Sequence, residues 1–205
     1  MECKLRGSAY SDSVRAELFK EEMMQLILPK THVFPNLSLP FFFLGGPILG
    51  GWDWQQRMTY LLKAKVGDEI IVANPSRYLQ GHPLHHLRVE GDETFFKRQL
   101  PWERHYMAFA AKYAKRGAIL FYLALEDDEQ PRDDGDPYAR DTYGELGEWR
   151  GRMMDDPSLR ILIGADHDFP GLDVIRRNFE FALGSFRISD SMEELAERAA
   201  EVVRV

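Results

Sequence analysis

Short apolar runs alternate along the chain with longer segments whose apolar residues recur at helical spacing. The run 41-FFFLGGPILGG-51 begins as a continuous apolar stretch, typical of a strand covered on both faces, and ends in a Gly-Gly-Pro turn. The segment 69-EIIVANPSRY-78 has the pattern of a second buried strand running into a turn. Between them, helical spacing is kept by Trp54, Met58, Leu61 and Leu62. The order predicted here is β-α-β.

The same alternation continues to the end of the chain. Pro101 suits the first position of a helix, and Gly117 is placed to end that helix. The apolar face of this helix consists of Trp102, Tyr106, Phe109 and Tyr113. The remaining elements are predicted strands at 118–125, at 159–164 and near 186–188, and predicted helices at 141–150, after Gly171 and after the capping pair Ser191 and Glu194.

This alternation predicts an α/β fold of three layers, with a mostly parallel sheet of Rossmann-like or flavodoxin-like type and helices on both faces. Ahead of it, 14-VRAELFKEEMMQLIL-28 has the pattern of an amphipathic helix, with an apolar face formed by Leu18, Met23, Met24 and Ile27. Three prolines then break the chain into a connector. We therefore expect a helical N-terminal extension and connector over 1–39 and an α/β domain over 40–205.

The predicted topology indicates where a ligand would bind. In open parallel sheets, ligands bind beyond the carboxyl ends of the strands, near the point where the strand order reverses. The loops at these ends are 45–47, 74–77, the segment from Glu126 onward, and 164–166. The predicted helix that carries Glu145 begins where the third of these loops ends.

Charge and cysteine content narrow the classes of function. The formal net charge is -7, and the absence of a basic run argues against binding of a nucleic-acid polymer. A single cysteine, Cys3, excludes an intrachain disulfide and a cysteine-based zinc site and favours a cytoplasmic location. No apolar run approaches the roughly 18 residues of a membrane span, and the N-terminus lacks the hydrophobic core of a signal peptide.

Three further segments can each be interpreted in more than one way. In 81-GHPLHHL-87 the three histidines favour a polar loop over a metal site. The acidic segment 126–137 lacks EF-hand spacing and favours a solvated flexible lid. The Gly45-Gly46-Pro47 turn fits neither a dinucleotide fingerprint nor a Walker loop. It is either a simple tight turn or a bare backbone surface against which a sugar or base lies.

The stretch 141-DTYGELGEWR-150 places a glutamate between two glycines at the start of a helix. Glu145 is either a solvated first-turn acid stabilised by the helix dipole, or a carboxylate that the glycines leave open to a ligand. Glu148 is interpreted as a solvated acid further around the helix. Glu103, at the predicted start of another helix, is either a cap or an active-site acid. A cysteine or serine nucleophile is not favoured, because no G-x-S-x-G elbow is present.

Six segments taken together resemble the nucleoside 2-deoxyribosyltransferase-like family over roughly residues 40–179. They are 43-FLGGPILGGWDWQ-55, 72-VANPSR-77, 99-QLPWE-103, 118-AILFYLA-124, 142-TYGELGEW-149 and 159-LRILIG-164. The family carries its catalytic glutamate in a Glu-Leu-Gly at a helix start, which matches Glu145. The resemblance implies that Glu145 attacks the anomeric carbon of a 2-deoxyribosyl group, with Glu103 or Asp141 as the second acid and with no cofactor or metal.

The resemblance also implies a set of substrate contacts. The first-strand loop would pack against the nucleoside, Trp52 would stack on the base, and Arg77 would meet a 5'-phosphate if one is present. The substrate-binding residues expected are Gly45, Gly46, Pro47, Trp52, Asn74, Arg77 and Trp102.

The function expected is cleavage of the N-glycosidic bond of a 2'-deoxynucleoside or its 5'-monophosphate, with transfer of the deoxyribosyl group to another nucleobase or to water. Two alternatives stay open: a nucleotide-binding or sensing module of the same fold without turnover, and a glycohydrolase acting on a dinucleotide or ADP-ribose derivative. The shortage of a basic cradle makes the last of these less attractive. The resemblance further implies a homo-oligomer, a dimer or larger.

Overall fold

The computed structural model describes residues 24–76, 78, 81–94 and 99–204. Within these ranges, six strands form one sheet in the order β1-β3-β2-β4-β5-β6, and every neighbouring pair is parallel. The strands are β1 Gln25–Ile27, β2 Phe41–Gly45, β3 Ile71–Ala73, β4 Gly117–Leu123, β5 Ile161–Ala165 and β6 Ile188–Ser189. The prediction of a mostly parallel sheet is confirmed.

Helices cover both faces of the sheet. They are α1 Trp54–Val66, α2 Gln99–Ala108 with a π-helical continuation Phe109–Tyr113, α3 Arg140–Asp155, α4 Leu172–Leu183 and α5 Met192–Arg204. Buried side chains of α1 and α5 form one apolar cluster with the sheet, whereas those of α2, α3 and α4 form another on the opposite face. The three-layer α/β fold predicted from the sequence is therefore confirmed, and no helix in the described ranges has the length and apolar character needed to cross a bilayer.

The run of phenylalanines in β2 is explained by these two layers. Phe41 and Phe43 pack on the cluster that contains α2, and Phe42 packs on the cluster that contains α1 and α5. Because side chains alternate along a strand, a strand buried on both faces needs apolar residues at every position. Each side chain of this size contributes about 1.5–3 kcal/mol on full burial.

Strand order reverses at β2. The chain passes from β2 to β3 on one side and later enters β4 on the other side of β2. The loops that follow β2 and β4 consequently flank the switch point at the carboxyl edge of the sheet, where ligands bind in folds of this type. Helices α2 and α3 lead away from that edge on the same face of the sheet.

The predicted N-terminal helix is wrong over its last residues. Residues 25–27 form strand β1, which pairs in parallel with β3 and lies at the edge of the sheet, although it precedes the predicted boundary between 39 and 40. Leu26 packs on one apolar cluster and Ile27 on the other, so the alternation is that of a strand. A short apolar run satisfies either periodicity, and pairing with β3 decides between them. The part of this prediction before Met24 lies outside the described residues.

Gly117 does not end the helix that precedes it, as its sequence position predicted. The π-helical continuation of α2 already ends at Tyr113, and Gly117 is the first residue of β4. Its φ is +132°, and a Cβ there would lie 1.9 Å from the carbonyl oxygen of Phe41. Glycine is needed here because β4 approaches β2 without room for a side chain.

Candidate functional site

A carboxylate and a guanidinium meet between α2 and α3. Glu145 lies in the second turn of α3, and its side chain is only 13% exposed. Arg104, near the middle of α2, donates from Nη1 to Oε1 of Glu145 across 3.1 Å. Both helices begin at the carboxyl edge of the sheet, so the pair lies on the side of the molecule that the switch-point rule selects.

The surroundings of Glu145 change its acidity. The pKa of Glu145 is raised from 4.5 to about 7, first by burial and second by the negative charge of Glu103. Arg104 acts in the opposite direction through its charge and its hydrogen bond, and Asp141 contributes a smaller increase. Near neutral pH, both the ionised and the protonated forms of this carboxyl group are therefore populated.

Arg104 is shared between two carboxylates of α3. Its Nη2 lies 3.0 Å from Oε2 of Glu148, and the other oxygen of Glu148 lies 2.7 Å from Nη2 of Arg152. The prediction that Glu148 is a solvated acid is wrong, because residues three apart on a helix share a side and both glutamates face α2. The i,i+3 spacing from Glu145 was the sequence signal that Glu148 faces α2. No local pattern, in contrast, connects Arg104 to Glu145, which lies 41 positions further along.

Both candidates for the second acid influence Glu145 electrostatically. Glu103 is half-buried on α2, and its Oε1 accepts a hydrogen bond from Nε2 of Gln99 at 2.7 Å. Gln99 also reaches the carbonyl of Pro75 at 3.4 Å, which connects this part of α2 to the loop after β3. Asp141, one turn before Glu145, is 84% exposed and lies 3.5 Å from Nε of Arg140.

The Gly45-Gly46-Pro47 turn is packed tightly into the molecule. A Cβ at Gly45 would lie 2.6 Å from the ring of Phe121, and Gly46 has a φ of +144° with the carbonyl of Tyr122 in close contact. Pro47 is buried, and its carbonyl accepts hydrogen bonds from the Trp54 and Gln55 side chains at 2.8 and 3.2 Å. Close packing accounts for these residues, and their contact with a nucleoside stays a prediction.

Asn74 shapes the loop after β3 from a fully buried position. Its Nδ2 donates to the Tyr78 hydroxyl at 3.0 Å, and its Oδ1 accepts from the backbone N–H of Ser76 at 2.8 Å. Tyr78 in turn donates to Asp53, the N-cap of α1. Both of these hydrogen bonds of the Asn74 amide go to residues of the same loop. Asn74 therefore positions the loop whether or not a ligand is bound.

Of the aromatic candidates, Trp102 lies in the core and Trp52 at the surface. The indole of Trp102 is fully buried, packs near Phe43 and donates from Nε1 to the carbonyl of Thr31 at 2.9 Å. No face of this ring is available to a substrate, and the role predicted for Trp102 is therefore dropped. Trp52 is half-buried beside the cluster that contains α1. Arg77 lies outside the described residues.

In the histidine-containing segment 81–87, His82 has a structural role. Its Nε2 lies 2.9 Å from Oδ2 of Asp53, and its Nδ1 accepts from the backbone N–H of Leu84 at 3.1 Å. The ring stacks on Tyr78 with centroids 3.8 Å apart. Across the described ranges, no three His, Cys, Asp or Glu side chains are grouped as ligands for a metal ion.

Most residues of the acidic segment 126–137 are exposed, as expected of a solvated segment, but the segment folds around one arginine. The Arg132 side chain is 8% exposed, and it pairs with Asp134 at 2.5 Å and with Asp136 at 3.2 Å. Its backbone N–H donates to the Glu126 carboxylate at 2.8 Å. Through the bridge between Gly51 and Glu126, this segment is joined to the loop after β2. The two loops that flank the switch point therefore contact each other.

Two cavities lie away from Glu145. One, of about 460 Å³, separates α3 from α4, and Gly147 lines it. The other, of about 360 Å³, lies beside the end of β5 and the first turns of α4. Neither is lined by Glu145 or Arg104. The candidate site is therefore defined by the Glu145–Arg104 pair between α2 and α3 and not by a cavity.

In comparisons with models of known protein families and with curated proteins, the chain has no match. The candidate site consequently rests on its geometry and on the motifs quoted above.

Proposed function

We propose that the protein cleaves the N-glycosidic bond of a 2'-deoxynucleoside, or of its 5'-monophosphate, through a covalent glycosyl intermediate on Glu145. The observation that supports this most directly is a largely buried glutamate with a pKa of about 7, paired with an arginine between two helices that begin at the carboxyl edge of a parallel sheet. Strongly shifted acids in such positions are typical of catalytic groups.

The chemistry takes two displacements at the anomeric carbon. In the first, an oxygen of the Glu145 carboxylate bonds to C1', the bond from C1' to the base nitrogen breaks, and the electron pair leaves with the base. A second acid, Glu103 or Asp141, donates a proton to the departing base. In the second displacement, a nucleobase nitrogen or water attacks C1', gives its proton to the second acid, which lost its own in the first step, and releases the Glu145 carboxylate. Transfer and hydrolysis differ only in this acceptor.

The ionisation of Glu145 sets the pH dependence expected for this reaction. Only the carboxylate form is a nucleophile, and the pKa of Glu145 is about 7 in the free protein. We expect kcat/KM to rise with pH through about 7 on its acid limb, since this ratio reports groups of the free enzyme. A profile that is already flat from pH 5 upward would contradict a nucleophile whose pKa is about 7.

The test incubates the protein with each of the four deoxynucleosides, and with their monophosphates, in the presence and absence of a second free base. Exchanged nucleoside demonstrates transfer, and free deoxyribose or its phosphate demonstrates hydrolysis. Glu145→Gln keeps the size of the side chain and removes the nucleophile, so activity is expected to fall on the order of 10³-fold or more. Glu180→Gln, at an exposed position on α4, is the matched control and is expected to keep activity.

A covalent adduct would identify the nucleophile directly. Acid quenching during turnover, followed by mass spectrometry of the peptides, is expected to place one deoxyribosyl group on the peptide that contains Glu145. An adduct on another residue, or full activity of Glu145→Gln, would contradict the proposed mechanism.

A nucleotide-binding or sensing module without turnover is the second candidate. The observation in its favour is that Arg104 already engages the Glu145 carboxylate, as an ion pair that holds structure would. Calorimetry with nucleosides, nucleotides and nicotinamide dinucleotide separates the two, because this candidate requires binding without product. The homo-oligomer and the cytoplasmic location stay predictions, which sedimentation and cell fractionation test.

A further inference from the structure

The ion pairs between α2 and α3 form a chain with Glu145 at one end. It runs from Glu145 to Arg104, then to Glu148, and then to Arg152. The side chains of this chain are 13% exposed for Glu145, 33% for Arg104, 28% for Glu148 and 50% for Arg152. The most buried charge thus depends on a partner that it shares with Glu148.

Only one oxygen of Glu145 is engaged. In the part of the chain that the structure describes, Arg104 is the sole hydrogen-bond donor to this carboxylate, and it bonds to Oε1. The second oxygen, Oε2, has no donor among these residues and keeps its lone pairs for a reacting atom. The guanidinium therefore fixes the direction of the carboxylate without occupying both oxygens.

The charges that face Glu145 oppose its ionisation, with one exception. On α2, Glu103 is negative and Arg104 is positive. On α3, Asp141 and Glu148 are negative, and Glu148 also draws on the charge of Arg104. A half-buried carboxylate among acids requires a nearby cation to stay ionised near neutral pH.

We propose that Arg104 is a positioning residue for Glu145, which keeps the carboxylate ionised and oriented for attack, and that Glu148 competes with Glu145 for the same guanidinium. The effect of Arg104 on catalysis rests on the proposed function. The effect of Arg104 on the ionisation of Glu145 exists in the free protein and is measured without a substrate.

The test titrates the Glu145 carboxyl carbon by NMR in protein labelled with ¹³C at glutamate Cδ, with the signal assigned by Glu145→Gln. Arg104→Gln is expected to raise the midpoint by roughly one pH unit or more, since an opposite charge within about 4–6 Å lowers an acid pKa by 1–3. Glu148→Gln is expected to lower the midpoint, because it removes a like charge and leaves Arg104 to Glu145 alone. These opposite directions are not expected from a general loss of packing.

Lys112→Gln is the matched control. It also removes one positive charge between the α2 continuation and the end of α3, where Lys112 lies 2.9 Å from Asp156, but it touches neither Glu145 nor Arg104. Its midpoint is expected to equal that of the unmodified protein. Arg104→Lys keeps the charge, and the Glu145 midpoint in this variant is expected to lie close to that of the unmodified protein. Should Arg104→Gln not fold, as judged by circular dichroism, Glu148→Gln and Arg104→Lys supply the same test.

An unchanged midpoint in Arg104→Gln, or an upward shift in Glu148→Gln, would overturn the positioning role even if the enzyme is active. If the protein has no glycosidic activity but the midpoints move as expected, the proposed function fails and the electrostatic role of Arg104 stands. In an active enzyme, Arg104→Gln is expected to lower kcat more than it raises KM, with part of the loss recovered at higher pH.

Discussion

Two glutamates of α3, Glu145 and Glu148, differ in their burial. The Glu145 side chain is 13% exposed and that of Glu148 is 28% exposed, although both contact the same guanidinium. Water stabilises a carboxylate less as its exposure falls, and burial therefore raises the pKa of Glu145.

This acidity predicts a stability that depends on pH. The pKa of Glu145 is about 7 in the folded protein and near 4.5 when exposed, so between these values the folded state binds more protons than the unfolded state. The contribution of Glu145 to the free energy of unfolding therefore decreases as pH rises from about 4.5 through 7. Glu145→Gln, which cannot ionise, is expected to be more stable than the unmodified protein above pH 7 by roughly 1–3 kcal/mol.

Urea unfolding of both proteins at pH 5 and at pH 8 measures this difference, with Glu180→Gln as the exposed control. The advantage of Glu145→Gln is expected to be larger at pH 8. An equal difference at the two pH values would mean that Glu145 titrates normally.

Helix α3 is glycine-rich on its exposed side. Gly144, Gly147 and Gly151 are all exposed, and a Cβ at any of them would meet nothing within 4 Å. Packing within the chain therefore does not require glycine at these positions. Gly147 lines the cavity toward α4, on the side of α3 away from Arg104, so only Gly144 keeps the role of leaving space beside Glu145.

Alanine substitutions separate stability from function in α3. Gly144→Ala, Gly147→Ala and Gly151→Ala are each expected to raise the free energy of unfolding by roughly 0.5–1 kcal/mol, because alanine is the better helix former. If Gly144 leaves room for a sugar, only Gly144→Ala is expected to raise KM or lower kcat. Urea unfolding and steady-state kinetics on the three variants test this, and equal activity in all three would refute a special role for Gly144.

At the scale of the whole molecule, the two loops at the switch point are joined to each other. The backbone N–H of Asp127 donates to the carbonyl of Gly50 at 2.7 Å across the two loops. Within the loop after β4, the hydroxyl of Tyr138 donates to the carbonyl of Ala124 at 2.8 Å. Arg132 holds the acidic segment in this arrangement through Asp134 and Asp136. One buried guanidinium thus orders a segment whose composition alone favours a solvated loop.

Arg132→Gln is expected to make the acidic segment 126–137 less ordered. Loss of the ion pairs leaves the aspartates of the segment to repel one another, so the amides of residues 126–137 are expected to exchange with deuterium faster. Hydrogen-exchange mass spectrometry checks this, with a peptide from β4 as the internal reference. Arg140→Gln, which removes a 51% exposed arginine that also pairs with Asp136, is expected to have a smaller effect. Equal exchange in the two variants would contradict the central role of Arg132.

Much of the fold was predictable because its signals are local. The continuous apolar run of β2, the helical spacing of α1 and the capping pair of α5 each lie within a few residues, and the Glu194 N–H does donate to Oγ of Ser191 at 3.1 Å. The strand β1 was mispredicted because its short apolar run fits both periodicities. Only its pairing with β3, more than forty residues away, resolves the ambiguity.

From β2 onward, the order of strands and helices followed from the sequence, which also pointed to Glu145, because periodicity and motif spacing are properties of neighbouring residues. Only the folded structure revealed that Arg104 pairs with Glu145 and Glu148, that Trp102 is buried, and that Arg132 pairs within the acidic segment. Burial and charge pairing depend on which distant residues the fold brings together, and these set the acidity on which the proposed chemistry depends.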